Sequence, residues 1–180
     1  MISTENSIRI AGVANDSIVD GPGLRMAIFF QGCRRKCEGC HNPESWPVDG
    51  GGECAAEGLF AYIRKNPLIT GVTFSGGEPL LRAGVLLPLA ESIQSSGLDL
   101  AIYTGYTFEE ILADGDGDVL ALLGFASTLI DGPFVLAEKS LTLPFRGSGN
   151  QRVLDLPRSL TEGRAVPTSD ASWDYRPEEG

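Results

Sequence analysis

Residues 32–42 read GCRRKCEGCHN, which places Cys33, Cys37 and Cys40 within eight residues of a 180-residue chain that has four cysteines in all. Thiolates are soft ligands, suited to zinc and to iron–sulfur clusters. A closed structural zinc site or a fully ligated cluster takes four protein ligands. Three thiolates from one tight loop can instead hold three irons of a [4Fe–4S] cluster. The fourth iron then keeps an open position for a substrate, as catalytic metal sites do. The competing reading is a zinc ion that recruits His41 or Cys54 as fourth ligand. His41 directly follows Cys40, so its ring tends to point away from the same ion. Cys54 lies beyond Pro43, Pro47 and three glycines at 50–52.

A second stretch carries chemistry. In SGGEP, Ser75 to Pro79, Gly76 and Gly77 let a backbone come close to a ligand and expose its amides, and Glu78 offers a carboxylate to a ligand's ammonium. Alone, a Gly-Gly turn is a weak signal; about 35 residues past a three-cysteine loop it is a specific one. Other stretches say less. DGDGD at 114–118 mimics a calcium loop but lacks glycine at the sixth position and glutamate at the twelfth, and reads as a loop.

Both motifs need strands to position them. RMAIFFQG at 25–32 reads as a buried strand that delivers the cysteine loop, and LITGVTF at 68–74 as a second one that delivers SGGEP. LDLAIYT at 98–104, ASTLIDG at 126–132 and QRVLDL at 151–156 are further strands. Helices are expected over ECAAEGLFAYIRKN, over AGVLLPLAESIQSS with Gly97 as its stop, from Thr107 with Glu109 and Glu110 in the first turn, and over VLALLGF. This alternation implies an α/β fold, a mostly parallel sheet with functional loops at the C-terminal strand ends. The chain is too short for a closed eight-stranded barrel, so a partial (βα) barrel, open on one side, is expected. The expected domain is 1–158, with 159–180 a polar, disordered tail.

Composition bounds the rest. Hydrophobic residues at 42% and charged ones at 21% suit a globular domain, and no apolar run is long enough to span a bilayer. The start, MISTENSIRIAG, lacks the layout of a signal peptide, so a cytoplasmic protein with reduced cysteines is expected. A net charge of −10 makes nucleic acid an unfavourable partner, and no membrane partner is expected. Against that background Arg34, Arg35 and Lys36 stand together in the cysteine loop, either as a solvated loop or as a docking spot for an acidic electron donor such as a flavodoxin.

Taken together, the three-cysteine loop and SGGEP resemble the radical S-adenosylmethionine (SAM) superfamily. VDGPGLRMAIFFQGC at 19–33 and CHNPESW at 40–46 are similar to the activating enzymes of glycyl radical enzymes. YTGYTFEEI at 103–111, LIDGPFV at 129–135 and FRGSGNQRV at 145–153 are similar to the branch that activates anaerobic (class III) ribonucleoside-triphosphate reductase. Cys40-His41-Asn42 is shared with the pyruvate formate-lyase branch, which carries Asp where this chain has Tyr103.

The resemblance implies a [4Fe–4S] cluster on Cys33, Cys37 and Cys40 and SAM chelated to the open iron. It implies SAM contacts from Ser75, Gly76, Gly77, Glu78, Thr104 and Asp131, with no catalytic side chain beyond the cluster and SAM. A reduced cluster would cleave SAM to methionine and a 5′-deoxyadenosyl radical, which takes hydrogen from a glycine Cα of a partner enzyme. Asp20, Gly21, Gly23 and Arg25 would shape the mouth where that glycine enters, and Arg146 to Gln151 would offer amides to the partner. A non-catalytic iron–sulfur electron carrier is the alternative, as is an activase of another glycyl radical enzyme.

Overall fold

Residues 25–30, RMAIFF, are apolar at both parities because the strand they form is covered on both faces: Met26, Ala27 and Ile28 are all buried. The computed structural model describes residues 7–174. In chain order it contains β1 (Ile8–Ser17), β2 (Arg25–Phe30), β3 (Gly52–Cys54), α1 (Ala56–Ile63), β4 (Gly71–Gly76), α2 (Ala83–Ser95), β5 (Asp99–Tyr103), α3 (Phe108–Asp114), α4 (Gly117–Leu123), β6 (Thr128–Asp131), β7 (Arg152–Asp155) and α5 (Leu156–Glu162). The strands form one sheet in the order β3-β1-β2-β4-β5-β6-β7. β2, β4, β5 and β6 run parallel, while β1, β3 and β7 join antiparallel at the two edges. Among the described residues, no helix is long and apolar enough to cross a membrane.

Alternation along the strands separates two faces. Ile28, Phe74, Ile102, Leu129 and Leu154 meet the helices in the main core, where Leu86, Leu89, Ala90 and Ile93 supply one stripe of α2. Gly97, at φ 79°, ends that helix, as expected. The opposite face carries small residues in its middle: Ala27 lies beside Thr73 and Thr73 beside Ala101. Its outer part is a second core of Ala101, Ile130, Val153 and Trp173.

Three expectations change. β1 is a strand where none was read, since Gly12, Asn15, Asp16 and two register shifts break its alternation. Gly52–Cys54 pairs with β1, so the first helix begins at Ala56 rather than Glu53. The stretch from Ser159 is a packed part of the domain: it completes α5, buries Val166, and lays Trp173 on the second core with 4% exposure. Residues 175–180 of the expected tail lie outside the described residues.

Candidate functional site

The cysteine loop begins just past β2 and folds through left-handed residues: Gly32 at φ 100°, Lys36 at 47° and Gly39 at 74°. Lys36 has a Cβ, so this conformation costs it about 1–2 kcal/mol. At Gly39 the left-handed φ favours glycine, and a Cβ there would push against the exposed Leu136 side chain, 2.8 Å from its Cδ1. Backbone bonds pin the loop. Gly32 N–H donates to Ser45 O at 2.7 Å, Cys33 N–H to Trp46 O at 3.1 Å, and Cys40 N–H to Cys37 O at 3.2 Å.

Cys33, Cys37 and Cys40 are all half-buried and free. Burial pushes the Cys33 thiol up, while the N–H groups of Arg35 and Lys36 favour its thiolate. Asn42 N–H points at Cys40 Sγ, 3.4 Å away. The two side chains that could have completed a zinc site are engaged elsewhere. His41 packs its ring 5.1 Å from that of Phe134, and Cys54 sits on edge strand β3 with its Sγ 3.6 Å from Ile8 O. Three half-buried thiols with amide donors to sulfur would suit a cluster that keeps one iron open. Among the described residues no cluster of His, Cys, Asp or Glu is arranged around a single ion.

SGGEP is joined directly to this loop. Gly77 N–H donates to Phe30 O at 2.9 Å and Glu78 N–H to Gly32 O at 2.8 Å. These amides therefore fasten the two loops together, so that of the glycine amides expected to face a ligand the one on Gly77 is committed to Phe30 O. A Cβ on Gly76 would lie 2.5 Å from Phe29 Cα, and one on Gly77 2.5 Å from Gly32 O. Glycine is needed here for the approach of two backbones. Ser75, half-buried, lies beside Phe29 on the small-residue face.

Glu78 is 3% exposed. Its Oε1 accepts from Leu80 N–H at 3.1 Å and Thr104 Oγ1 at 2.9 Å, and its Oε2 from Gly105 N–H at 2.8 Å. Burial dominates these bonds and raises its pKa to about 7. A carboxylate has roughly four acceptor sites, so one remains for a cation. Thr104, expected to touch SAM, spends its hydroxyl on orienting Glu78 and on accepting from Tyr106 N–H at 3.1 Å.

A third tie was not legible in the sequence. Arg35 leaves the cysteine loop to donate to Glu110 at 2.5 Å and stacks its guanidinium 4.2 Å over the Tyr106 ring. Glu110 is held in turn by the Thr107 capping box of α3. The basic triplet is thus divided: Arg34 and Lys36 face solvent, while Arg35 is internal to the site.

The remaining expected residues lie apart. Asp131 has no exposed surface and both oxygens are committed, to Arg152 at 2.9 and 2.5 Å and to Phe108 N–H at 2.8 Å. It anchors the start of α3, and its interactions run to Arg152 and Phe108. Arg25 starts β2, at the end opposite the cysteines and about 17 Å away by strand rise. There it bonds Thr73 Oγ1 and Val72 O and pairs with Asp99 at 2.8 Å, which fastens the sheet at the end away from the cysteines. A groove of about 540 Å³ opens at this same N-terminal end, lined by Arg25, Asp99, Ser127, Asp155 and Trp173, away from the site. The segment Arg146–Gln151 is bonded within itself and to the turn after β6: Gln151 accepts from Gly147 and Ser148 N–H and donates to Gly132 O, and Asn150 donates to Pro133 O.

Comparison with known proteins points to an iron–sulfur family. A family profile described as "4Fe-4S single cluster domain" matches residues 19–154. The chain is 42% identical over 117 residues to the pyruvate formate-lyase-activating enzyme of Clostridium pasteurianum, covering 60% of this chain but 49% of that one. It therefore spans about half the length of that relative. It is 31% identical to the anaerobic ribonucleoside-triphosphate reductase-activating protein of Haemophilus influenzae, covering 74% of this chain and 89% of that one. For the protein so named in Escherichia coli K12 the identity is 32%, with 76% and 91% covered. Among solved structures, QueE from Escherichia coli shares the fold, with a TM-score of 0.50 and 21% identity over 59% of this chain and 58% of that one. The chain thus belongs to the radical SAM activating enzymes of glycyl radical enzymes.

Proposed function

We propose that this protein cleaves SAM reductively at a [4Fe–4S] cluster held by Cys33, Cys37 and Cys40, and so generates a glycyl radical on an anaerobic ribonucleoside-triphosphate reductase. The observation that carries the reading is the fastening of the three-cysteine loop to the Glu78 loop, with Gly77 and Glu78 N–H donating to Phe30 and Gly32 carbonyls. The loop that would hold the cluster and the loop that carries the buried carboxylate are thereby fixed to one another, and an open iron there would take the α-amino acid. When bound, the cluster supplies one electron to the sulfonium of SAM, and the adenosyl fragment released takes hydrogen from the partner's glycine.

The residues of this chain do the positioning. Glu78, held by three donors, takes the methionyl ammonium. Thr104 keeps that carboxylate oriented, and Ser75 lies on the face of the sheet opposite the helices. The alternation of parallel strands and helices supports a sheet curled as a partial barrel around this face, in a cytoplasmic protein whose partners include neither nucleic acid nor membrane. Exposed Arg34 and Lys36 would draw an acidic flavodoxin to the cluster loop. Reversing both charges is expected to slow flavodoxin-driven SAM cleavage at low salt and leave dithionite-driven cleavage unchanged. Equal slowing with both reductants would remove the docking role.

The reductase is preferred as partner because the chain spans 89% and 91% of the proteins named for its activation. A pyruvate formate-lyase partner is the second reading, favoured by the 42% identity to its activating enzyme. The test is an anaerobically reconstituted sample given dithionite and SAM, then each candidate enzyme in turn. Methionine and 5′-deoxyadenosine should form, and a glycyl electron-paramagnetic-resonance doublet should appear on the reductase. A doublet on pyruvate formate-lyase alone would reassign the partner, and a cluster that cleaves no SAM would leave only an electron carrier.

A further inference from the structure

In the connection from β6 to β7, Phe145 adopts φ 55°, a left-handed conformation rare for a bulky side chain. Such a residue persists only where its surroundings over-determine it. Two contacts do so. Tyr103 Oη, at the end of β5, donates to Phe145 O at 2.7 Å, and the Phe145 ring meets Trp173 edge-on at 5.5 Å. Burial pushes the Tyr103 pKa up, so its hydroxyl stays a donor.

What this clamp holds reaches the cysteine loop. The connection doubles back on itself: Gly149 N–H donates to Glu138 O at 2.8 Å, Ser140 N–H to Gly147 O at 3.1 Å, and Val135 N–H to the buried Ser148 Oγ at 3.1 Å. The returning limb lies behind Phe134, since a Cβ on Gly147 would stand 3.0 Å from Phe134 Cδ2. The outgoing limb lies against both neighbours of Cys40. A Cβ on Gly39 would come within 3.3 Å of Phe134 Cε1, and the His41 and Phe134 rings are 5.1 Å apart. Cys33 has an anchor outside the three-cysteine span, its N–H donating to Trp46 O, whereas the Cys40 N–H donates to Cys37 O within that span. Packing on Phe134 therefore supplies a support that Cys40 lacks in its own backbone bond.

We propose that Tyr103 is a positioning residue for the third thiol of the loop, acting through the Phe145 carbonyl and Phe134 to hold Cys40 in place. That Cys40 is a cluster ligand rests on the reading of the preceding section; the contacts that hold it do not.

The test reads each thiol separately in the full chain. Alkylation of the reduced, cluster-free protein by iodoacetamide is followed cysteine by cysteine in a mass spectrometer. Tyr103→Phe removes the donor and keeps the ring, and should make Cys40 react about two- to tenfold faster while Cys33 and Cys54 keep their wild-type rates. A general loss of stability would speed Cys54 on β3 as well. A rise shared by all the thiols, or no rise at Cys40, therefore overturns the assignment. Gly147→Ala, which crowds Phe134 from the other side, should single out Cys40 too, and stands in for Tyr103→Phe if that variant does not fold. After anaerobic reconstitution, Tyr103→Phe should lose iron to a chelator about two- to tenfold faster than wild type, with Cys40 the first thiol freed. Equal iron loss in variant and wild type would overturn the role as well. Wild type that takes up no cluster would overturn the cluster reading instead, and the alkylation rates would still decide the role of Tyr103.

Discussion

Glu78 is an acid held by three hydrogen-bond donors in a place where burial still keeps its pKa near 7. Ammonium binding requires the ionised form, so SAM affinity should fall as pH drops below about 7, by up to tenfold per unit. Glu78→Gln should lower affinity about ten- to a hundredfold and abolish that pH dependence, with cluster content near normal. A pH-independent wild-type affinity between 5.5 and 8, as rough limits, would count against the role. The sign for folding is the reverse of the usual carboxylate case. The native state binds the Glu78 proton more tightly than the unfolded chain, so this group costs stability as pH rises from its unfolded value through about 7, by up to about 3 kcal/mol in the ligand-free protein. Among the cysteines, Ala at position 33, 37 or 40 should abolish the brown colour and SAM cleavage. Cys54→Ala should leave both, because Cys54 lies on β3, two strands from β2 across the sheet. Loss of the cluster in Cys54→Ala would contradict three-cysteine ligation.

At the scale of elements, α3 is where separate parts of the site are joined. Its N-terminus is capped by Thr107, bonded at Phe108 N–H by Asp131, and tied to the cysteine loop through Glu110 and Arg35. Asp131 is linked onward to Arg152 on β7, which also bonds Glu109. Asp131→Ala strands one oriented N–H and loosens a charged network. It should lower unfolding stability by about 1.5–3 kcal/mol in urea titration, with cluster content kept. Thr107→Ala, which removes only the cap, should cost about 1 kcal/mol. A larger loss from Thr107→Ala than from Asp131→Ala would reverse this ranking of the two anchors.

For the molecule as a whole, the C-terminal stretch decides whether the second face of the sheet is covered. Trp173 reaches back to Ala101, Ile130 and Val153 and stacks edge-on against Phe145 at 5.5 Å. Trp173→Ala should cost about 3–5 kcal/mol in thermal or urea unfolding. Truncation after Arg158, the boundary suggested by composition, interrupts α5 and uncovers this core, and should prevent stable folding. A truncated chain as stable as the full one would show that the second core is dispensable.

Much of this protein could be read without its fold. The close spacing of Cys33, Cys37 and Cys40 is visible in the sequence because a single loop sets it, and SGGEP is visible because it too is a local turn. RMAIFF, LDLAIY and TLID were readable as buried strands, and Thr107 as a cap, because burial on both faces and first-turn geometry leave their marks within a few residues. The edges were harder: β1 alternates poorly, and β3 has meaning only as a partner of Ile8–Ile10. What only the tertiary structure decided was which groups meet across long separations. Gly76 and Gly77 serve a neighbouring backbone, Asp131 serves Arg152 and α3, and Arg35, indistinguishable in sequence from Arg34 and Lys36, turns inward to Glu110 across 75 positions. Spacing encodes what one loop or one helix turn can hold. Which charge is solvated and which is built into the site depends on the strand order that brings β2 beside β4 and β4 beside β5.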